Sequence, residues 1–459
     1  MKFLDRALEL RRLSAAFARP VGTLCVLYGR RRCGKSRLLR EALGARSVTA
    51  ASFVGDDREA SLQRQALASE MARVLPGFGD AVYPDWEPLL NRWFKDAPRG
   101  SVLALDEFPS LVAASPELPS LLQKQIDAGP RSHVVLAGSS QNMMHGLTLD
   151  RTAPLFGRAR EVLKIQPLPA GWLLEACPHL TPIDAVEAFS VFGGVPRYWE
   201  LFSDFRRLPE AVEELILNPL GVLHEEPPAV LLDDFRELAQ ATTLLALIGS
   251  GCHRVSEIAG RIGKPATSLS RPLARLADLG LVSREVPFGS RSGDKRTLYR
   301  IADPFLSFWF RFVEPNRSRL QTARVAPVVA EVKRDFPHHA AAAWEALSRA
   351  SVAEIGAPRV AWEEARRYWG PGLDRNPMEL AVVAESADRA RLLIGESKWH
   401  DRIDWAREAE ALRQKVARFP AAQGREVELM LFAKRSPGRT SGLDGIRVVT
   451  PEDVLAALR

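Results

Sequence analysis

Apolar positions along this chain follow two rhythms. Val21 to Tyr28, Val102 to Leu105 and His133 to Gly138 are short, largely apolar runs that lead into glycine, acidic or hydroxyl residues. Such runs predict strands buried on both faces of a parallel sheet. Arg37 to Leu43 switches to helical spacing. From about 166 to 235 the pattern breaks into short helices punctuated by Pro167, Pro169, Pro178, Pro182 and Pro196. Ile258, Ala259 and Ile262 then mark the apolar face of one short helix, and Gly263-Lys264-Pro265 is a turn. Leu269, Leu273, Leu276 and Leu279 stripe a second helix, Thr267 to Leu279, which Gly280 caps. Strands Leu281 to Val286 and Leu298 to Ile301 enclose a polar turn. Helix, turn, helix and hairpin in that order predict a winged helix. Phe305, Leu306, Phe308, Trp309, Phe310 and Phe312 are apolar all round, so that helix must be buried. The last third reads as a helix (Ala340 to Glu354), three strands (Val360 to Tyr368, Met378 to Val383, Arg391 to Glu396), a helix (Trp405 to Val416) and a strand (Val427 to Phe432).

Composition narrows the class. A length of 459 residues suits roughly two to four domains. No apolar run approaches the ~18 to 20 residues of a membrane span, and acids and bases interrupt the apolar pairs of the N-terminus. The expectation is a cytoplasmic protein with no membrane partner. A formal net charge of +7 favours phosphate backbones. Arginine dominates the basic residues, which also fits a GC-rich genome. Cys25, Cys33, Cys177 and Cys252 show no paired CxxC spacing, and no HExxH occurs, so no structural metal is expected.

Candidate chemistry sits at the ends of the apolar runs. Gly29-Arg30-Arg31-Arg32-Cys33-Gly34-Lys35-Ser36 fits GxxxxGK[ST] between a strand and the helix that Arg37 enters. Glycines let backbone N–H groups curl around phosphate oxygens, and the helix N-terminus adds its positive end. Lys35 would reach the β and γ phosphates and the Ser36 hydroxyl would ligate Mg²⁺. Asp106 would complete the Mg²⁺ shell, and Glu107 would polarise the attacking water. Ser140 is a candidate γ-phosphate sensor, or simply a helix N-cap. Arg158 is either an arginine finger, in cis or from a neighbouring subunit, or a surface arginine. In the winged helix, Ser268, Ser270, Arg271 and Arg275, with Arg291, Lys295 and Arg296 of the wing, suit contacts to double-stranded DNA.

The segments FLDRALEL, GRRRCGKS, LALDEFPSL, LAGSSQNMM, PLFGRA and FGGVPRYW resemble the AAA-related, archaeal-type P-loop ATPases of bacteria and archaea, which are STAND-like. The resemblance covers nearly the whole chain. It implies an α/β fold: a P-loop NTPase core with a parallel sheet (1–165), a helical lid (166–238), a winged helix (239–302), a linker helix (303–335) and a C-terminal α/β domain similar to restriction endonucleases (336–459). Pro196 would lie in the lid, near the nucleotide base.

By the same resemblance the C-terminal order matches the PD-(D/E)XK nuclease-like core. Glu379, Glu396 and Lys398 would be its catalytic set, with Glu345 as a further acidic metal ligand. The segment PMEL departs from the EID-like string of that family. Glu379 stands for the usual Asp and Pro377 for its neighbouring acid. The resulting expectation is an ATP- and DNA-binding ATPase, with bound ATP or ADP, a Mg²⁺-dependent nuclease-like domain and homo-oligomers. The alternative is a nucleotide-switched DNA-binding or STAND-like scaffold protein with an inert nuclease fold.

Overall fold

The computed structural model describes residues 2–44, 48–232, 234–235, 238–290, 296–322, 324–356, 360–438 and 443–459. The chain forms two compact units. One comprises Asp5–Pro167 and Val230–Arg236; the other comprises Met1–Leu4, Leu168–Ala229 and Glu237–Arg459.

The first unit holds five strands, β1 (Leu24–Tyr28), β2 (Ala50–Val54), β3 (Val102–Asp106), β4 (His133–Gly138) and β5 (Ala159–Lys164), in the order β2-β3-β4-β1-β5. All pairs are parallel. The strands read from sequence as continuous apolar runs are the central ones, and every residue of β3 and β4 is buried. At the edge, β5 alternates exposed and covered positions. The core below the sheet is aromatic, with Phe78, Trp86, Trp93 and Phe108 fully buried. Helix Trp86–Asp96 enters this core behind an Asp85 cap, whose side chain accepts from the Glu87 N–H.

The second unit opens with the helices punctuated by proline. Thr181 and Asp184 form a reciprocal capping box on Pro182–Phe192. Gly194 is required because a Cβ there would stand 2.1 Å from the Leu168 carbonyl oxygen. The helix-turn-helix follows as Val255–Ile262 and Ser270–Asp278, and β6 (Val282–Glu285) pairs antiparallel with β7 (Leu298–Ile301). The second helix is shorter than its leucine stripe predicts. Ala266–Leu269 is a 3-10 turn, and Pro272 falls in the first α-turn, where its missing N–H costs nothing.

A larger difference lies at residue 335. Instead of a linker and a separate domain start, one helix runs Val325–Ile355 straight through Pro337. The strand expected at Val360 begins only at Arg366. Trp362 makes a lone bridge to Ser386, and β8 (Arg366–Pro371) joins β9 (Pro377–Glu385) with a register shift at its start. Then come β10 (Arg391–Lys398), β11 (Glu426–Ala433) and β12 (Ile446–Val449), in the order β12-β11-β10-β9-β8. Strands β8, β9 and β10 are antiparallel, whereas β10, β11 and β12 are parallel, with helix Trp405–Arg418 crossing over between β10 and β11.

Candidate functional site

The loop after β1 has the geometry of a phosphate cradle. Gly29 takes φ 149°, and a Cβ on it would strike the Ile165 carbonyl oxygen at 2.3 Å. Gly34 takes φ 90° with nothing within 4 Å of an added Cβ, so the loop faces open space there. Arg32 is left-handed, Cys33 is buried, Arg31 and Ser36 are exposed, and Arg37 is half-buried. Lys35 is 5% exposed and folds back, its Nζ donating to the carbonyls of Gly29 (2.9 Å) and Arg30 (3.1 Å). A lysine ammonium donates up to three hydrogen bonds, and two of these partners are carbonyls of the loop itself. Arg6, which sequence reasoning missed as a site residue, braces the loop from behind. It is buried and donates to the carbonyls of Cys33 (3.4 Å) and Gln166 (2.5 Å).

Strand register gathers the remaining groups. Tyr28 pairs with Gly138, and Leu105 with Leu136. The residues that follow β1, β3 and β4 therefore emerge side by side at one end of the sheet, where α/β folds bind ligands. Asp106 is 3% exposed, and its Oδ1 accepts from the Glu107 N–H at 2.9 Å. Glu107 is held at φ 47°, and its Oε2 accepts from the hydroxyl (3.1 Å) and the N–H (3.3 Å) of Ser139. Strain of this kind collects at functional sites. Ser139 stands one residue past β4, among the polar residues that sequence places at that strand's carboxyl end. Ser140 does cap helix Gln141–Thr148, accepting from the Met143 N–H, and its hydroxyl also donates to Asp234.

Arg158 lies at the other end. Leu24 pairs with Ala159, so Arg158 precedes β5 at the amino edge of the sheet, a full strand length from the loop. Its guanidinium grips both oxygens of Asp127 at 2.7 and 2.9 Å and holds that carboxyl below its usual range. The expectation of a finger in cis gives way to this placement. Pro196 opens helix Pro196–Phe202 in the second unit.

In the C-terminal sheet the expected catalytic set is divided. Glu345 and Glu379 do meet, but around a guanidinium. Arg367 pairs with Glu379, with Glu345 at 3.0 Å and with Glu285 of β6 at 3.3 Å. Arg349 reaches Glu345 as well, at 2.5 Å. Glu396 pairs instead with Lys415 of helix Trp405–Arg418 at 2.7 Å, and Lys398 with Glu408 of the same helix at 3.0 Å. Burial pushes the Glu396 carboxyl above its usual range, against the pull of Lys415. Among the described residues no three His, Cys, Asp or Glu side chains are grouped to hold a metal ion. Glu345, Glu379 and Glu396, the expected metal ligands, are each paired with a basic side chain here.

Around the second of the two short helices, Ser268, Ser270 and Arg271 are exposed, whereas Arg275 is half-buried. Arg296 donates to the Trp369 carbonyl of β8 at 3.3 Å, and the Phe288 N–H donates to the Arg367 carbonyl at 2.7 Å. Residues Phe288 and Arg296, between β6 and β7, thus bond to the edge strand β8. Arg291 and Lys295 lie outside the described residues. No described helix is long and apolar enough to cross a membrane.

Comparison with known proteins agrees with the first unit. The chain is 27% identical over 410 residues to an uncharacterized protein of Methanocaldococcus jannaschii, covering 88% of each. A Walker-type ATPase of Pyrococcus abyssi superposes with a TM-score of 0.52 at 21% identity, over 67% of this chain and 96% of that one. The ORC2 protein of Aeropyrum pernix gives 0.48 at 15% identity, over 70% and 96%. Residues 309–413 match a family described as archaeal and bacterial proteins of unknown function. Residues 3–202 match the model of an ATPase domain found predominantly in Archaea.

Proposed function

We propose that this protein binds ATP with Mg²⁺ on Gly29 to Ser36, hydrolyses it with Glu107 orienting the water, and uses the nucleotide state to control a DNA contact through the helix-turn-helix. The observation that carries the reading is the side-by-side emergence of the phosphate loop, the Asp106-Glu107 pair and the Ser139-Ser140 pair at one sheet end. Ser36 and Asp106 supply hard oxygen donors of the type Mg²⁺ prefers, and the open space at Gly34 leaves room for phosphate. The ion, when bound, would neutralise charge on the β and γ oxygens. The exposed Ser268, Ser270 and Arg271 would contact the DNA backbone. One assay tests both halves: ATP turnover and duplex-DNA affinity measured on wild type, Lys35→Ala and Arg271→Ala. The expected result is loss of turnover only in Lys35→Ala and loss of DNA affinity in Arg271→Ala. Turnover that survives Lys35→Ala overturns the reading.

A second reading, cleavage of DNA by the C-terminal domain, is favoured by the mixed sheet that ends β10 in Glu396-Ser397-Lys398. The acids present do not fit a single metal site, so no metal step is derived for them. Identical plasmid products from wild type and Lys398→Ala, in Mg²⁺ or Mn²⁺, would leave the domain as an inert scaffold.

A further inference from the structure

Residues 230–236 are out of step with the sequence order. Residues 230–232 end helix Glu226–Leu232 and residues 234–235 come shortly before helix Leu238–Gly249, yet this stretch groups with the unit of Asp5–Pro167. Within it Asp234 turns its carboxylate to the end of β4. Oδ1 accepts from the Ser140 hydroxyl at 3.2 Å and from the Asn142 N–H at 3.0 Å. A serine hydroxyl carries a single proton. While that proton is given to Asp234, it is not given to a phosphate oxygen. Gly138 pairs with Tyr28, and the loop begins at Gly29, so Ser140 stands beside the loop's mouth. A γ-phosphate held there would bring negative charge against the Asp234 carboxylate and compete for the same donors. A β-phosphate lies one phosphate deeper and makes no such demand.

We propose that Asp234 is a positioning residue of the ATPase. It occupies the donors of Ser140 and Asn142 until the γ-phosphate displaces it, so that ATP, but not ADP, releases Asp234 from the end of β4. The proposal rests on the reading of Gly29 to Ser36 as the nucleotide site. Helix Leu238–Gly249 begins four residues beyond Asp234, so Asp234 stands in the chain just ahead of the helices proposed above to contact DNA.

The test is equilibrium binding of the non-hydrolysable analogue AMP-PNP and of ADP, each with Mg²⁺, to the full chain. Removing the competing charge by Asp234→Asn should tighten AMP-PNP about tenfold, as loss of one charge-assisted hydrogen bond to a competitor would. ADP affinity should stay within about twofold. Asp234→Glu keeps the charge and should retain wild-type discrimination. Ser140→Ala removes the contested donor, so adding Asp234→Asn to it should change AMP-PNP affinity by much less than tenfold. Equal tightening of both nucleotides, no change in either, or a full effect in the Ser140→Ala background overturns the proposal. Undiminished nucleotide binding by Lys35→Ala would instead fault the site reading beneath it.

Discussion

Two groups of acids in this chain follow similar sequence logic and meet different structural outcomes. Asp106 and Glu107 end an apolar run, as Glu396 ends another. In the ATPase unit the strands are parallel and register-locked, so whatever follows β1, β3 and β4 arrives at one edge. In the C-terminal sheet the acids lie on antiparallel neighbours. The β9–β10 ladder ends at Val382–Gly395, before either acid is reached. Met378 and Leu380 join the apolar layer with Ala409 and Leu412 of helix Trp405–Arg418, which turns Glu379 between them away from that layer and towards Arg367. Glu396 faces the same helix through Lys415. Parallel topology gathers chemistry from strand ends alone, whereas an antiparallel pair depends on register, and one irregular residue changes the face.

The sharpest way to break this contrast is to remove the buried ammonium. Lys35→Ala should lower ATP turnover by at least about 10³-fold, the scale of losing electrostatic stabilisation of a transferring phosphoryl group. Retained turnover under steady-state assay would mean that the gathered strand ends are only architecture. Glu107→Gln should cost less, about 10² to 10³-fold in kcat, because it removes a water-positioning group and leaves the cradle intact. It should hold ATP as tightly as wild type, since Gln still accepts from Ser139. A comparable loss of nucleotide affinity would place Glu107 in the folding of the loop instead.

Legibility in the sequence followed the same divide. The glycine-bounded loop after β1, the acids after β3 and the two short helices before β6 were readable because each is a local pattern with a fixed spacing. Asp234 was not, since the hydroxyl that it engages lies 94 positions earlier in the chain. Arg158 illustrates the limit from the other side. Its motif was visible, but only the pairing of Leu24 with Ala159 shows which end of the sheet it occupies. The unbroken helix Val325–Ile355 was hidden by Pro337, which a long helix absorbs when tertiary packing holds both sides. Trp344 and Leu347 are among the buried side chains that hold it.

Arg367 is the residue on which the C-terminal half of the contrast turns. Its side chain is 11% exposed among Glu285, Glu345 and Glu379. Arg367→Met should destabilise the chain by about 2 to 4 kcal/mol in urea unfolding, because Glu285 and Glu345 lose a partner while partly buried. Glu379, half in solvent, should add little. A loss below about 0.5 kcal/mol, the scale of a solvated surface pair, would mean that these carboxylates are free for another cation.

The smallest effect belongs to Glu396, and its sign is diagnostic. Burial raises the carboxyl in the folded chain above its value in the unfolded one. The folded state then binds more protons across that window, so stability falls as pH rises from the ordinary carboxyl range through the raised one. Lys415 and Lys398 oppose the shift and keep the slope shallow. Glu396→Gln carries no proton to lose, so its unfolding free energy should stay flatter than that of wild type between about pH 4 and 7. Should wild type instead gain stability over Glu396→Gln on that climb, the pairing with Lys415 would outweigh burial. Glu396 would then behave as an ordinary charged partner rather than a carboxyl held reluctantly ionised beneath helix Trp405–Arg418.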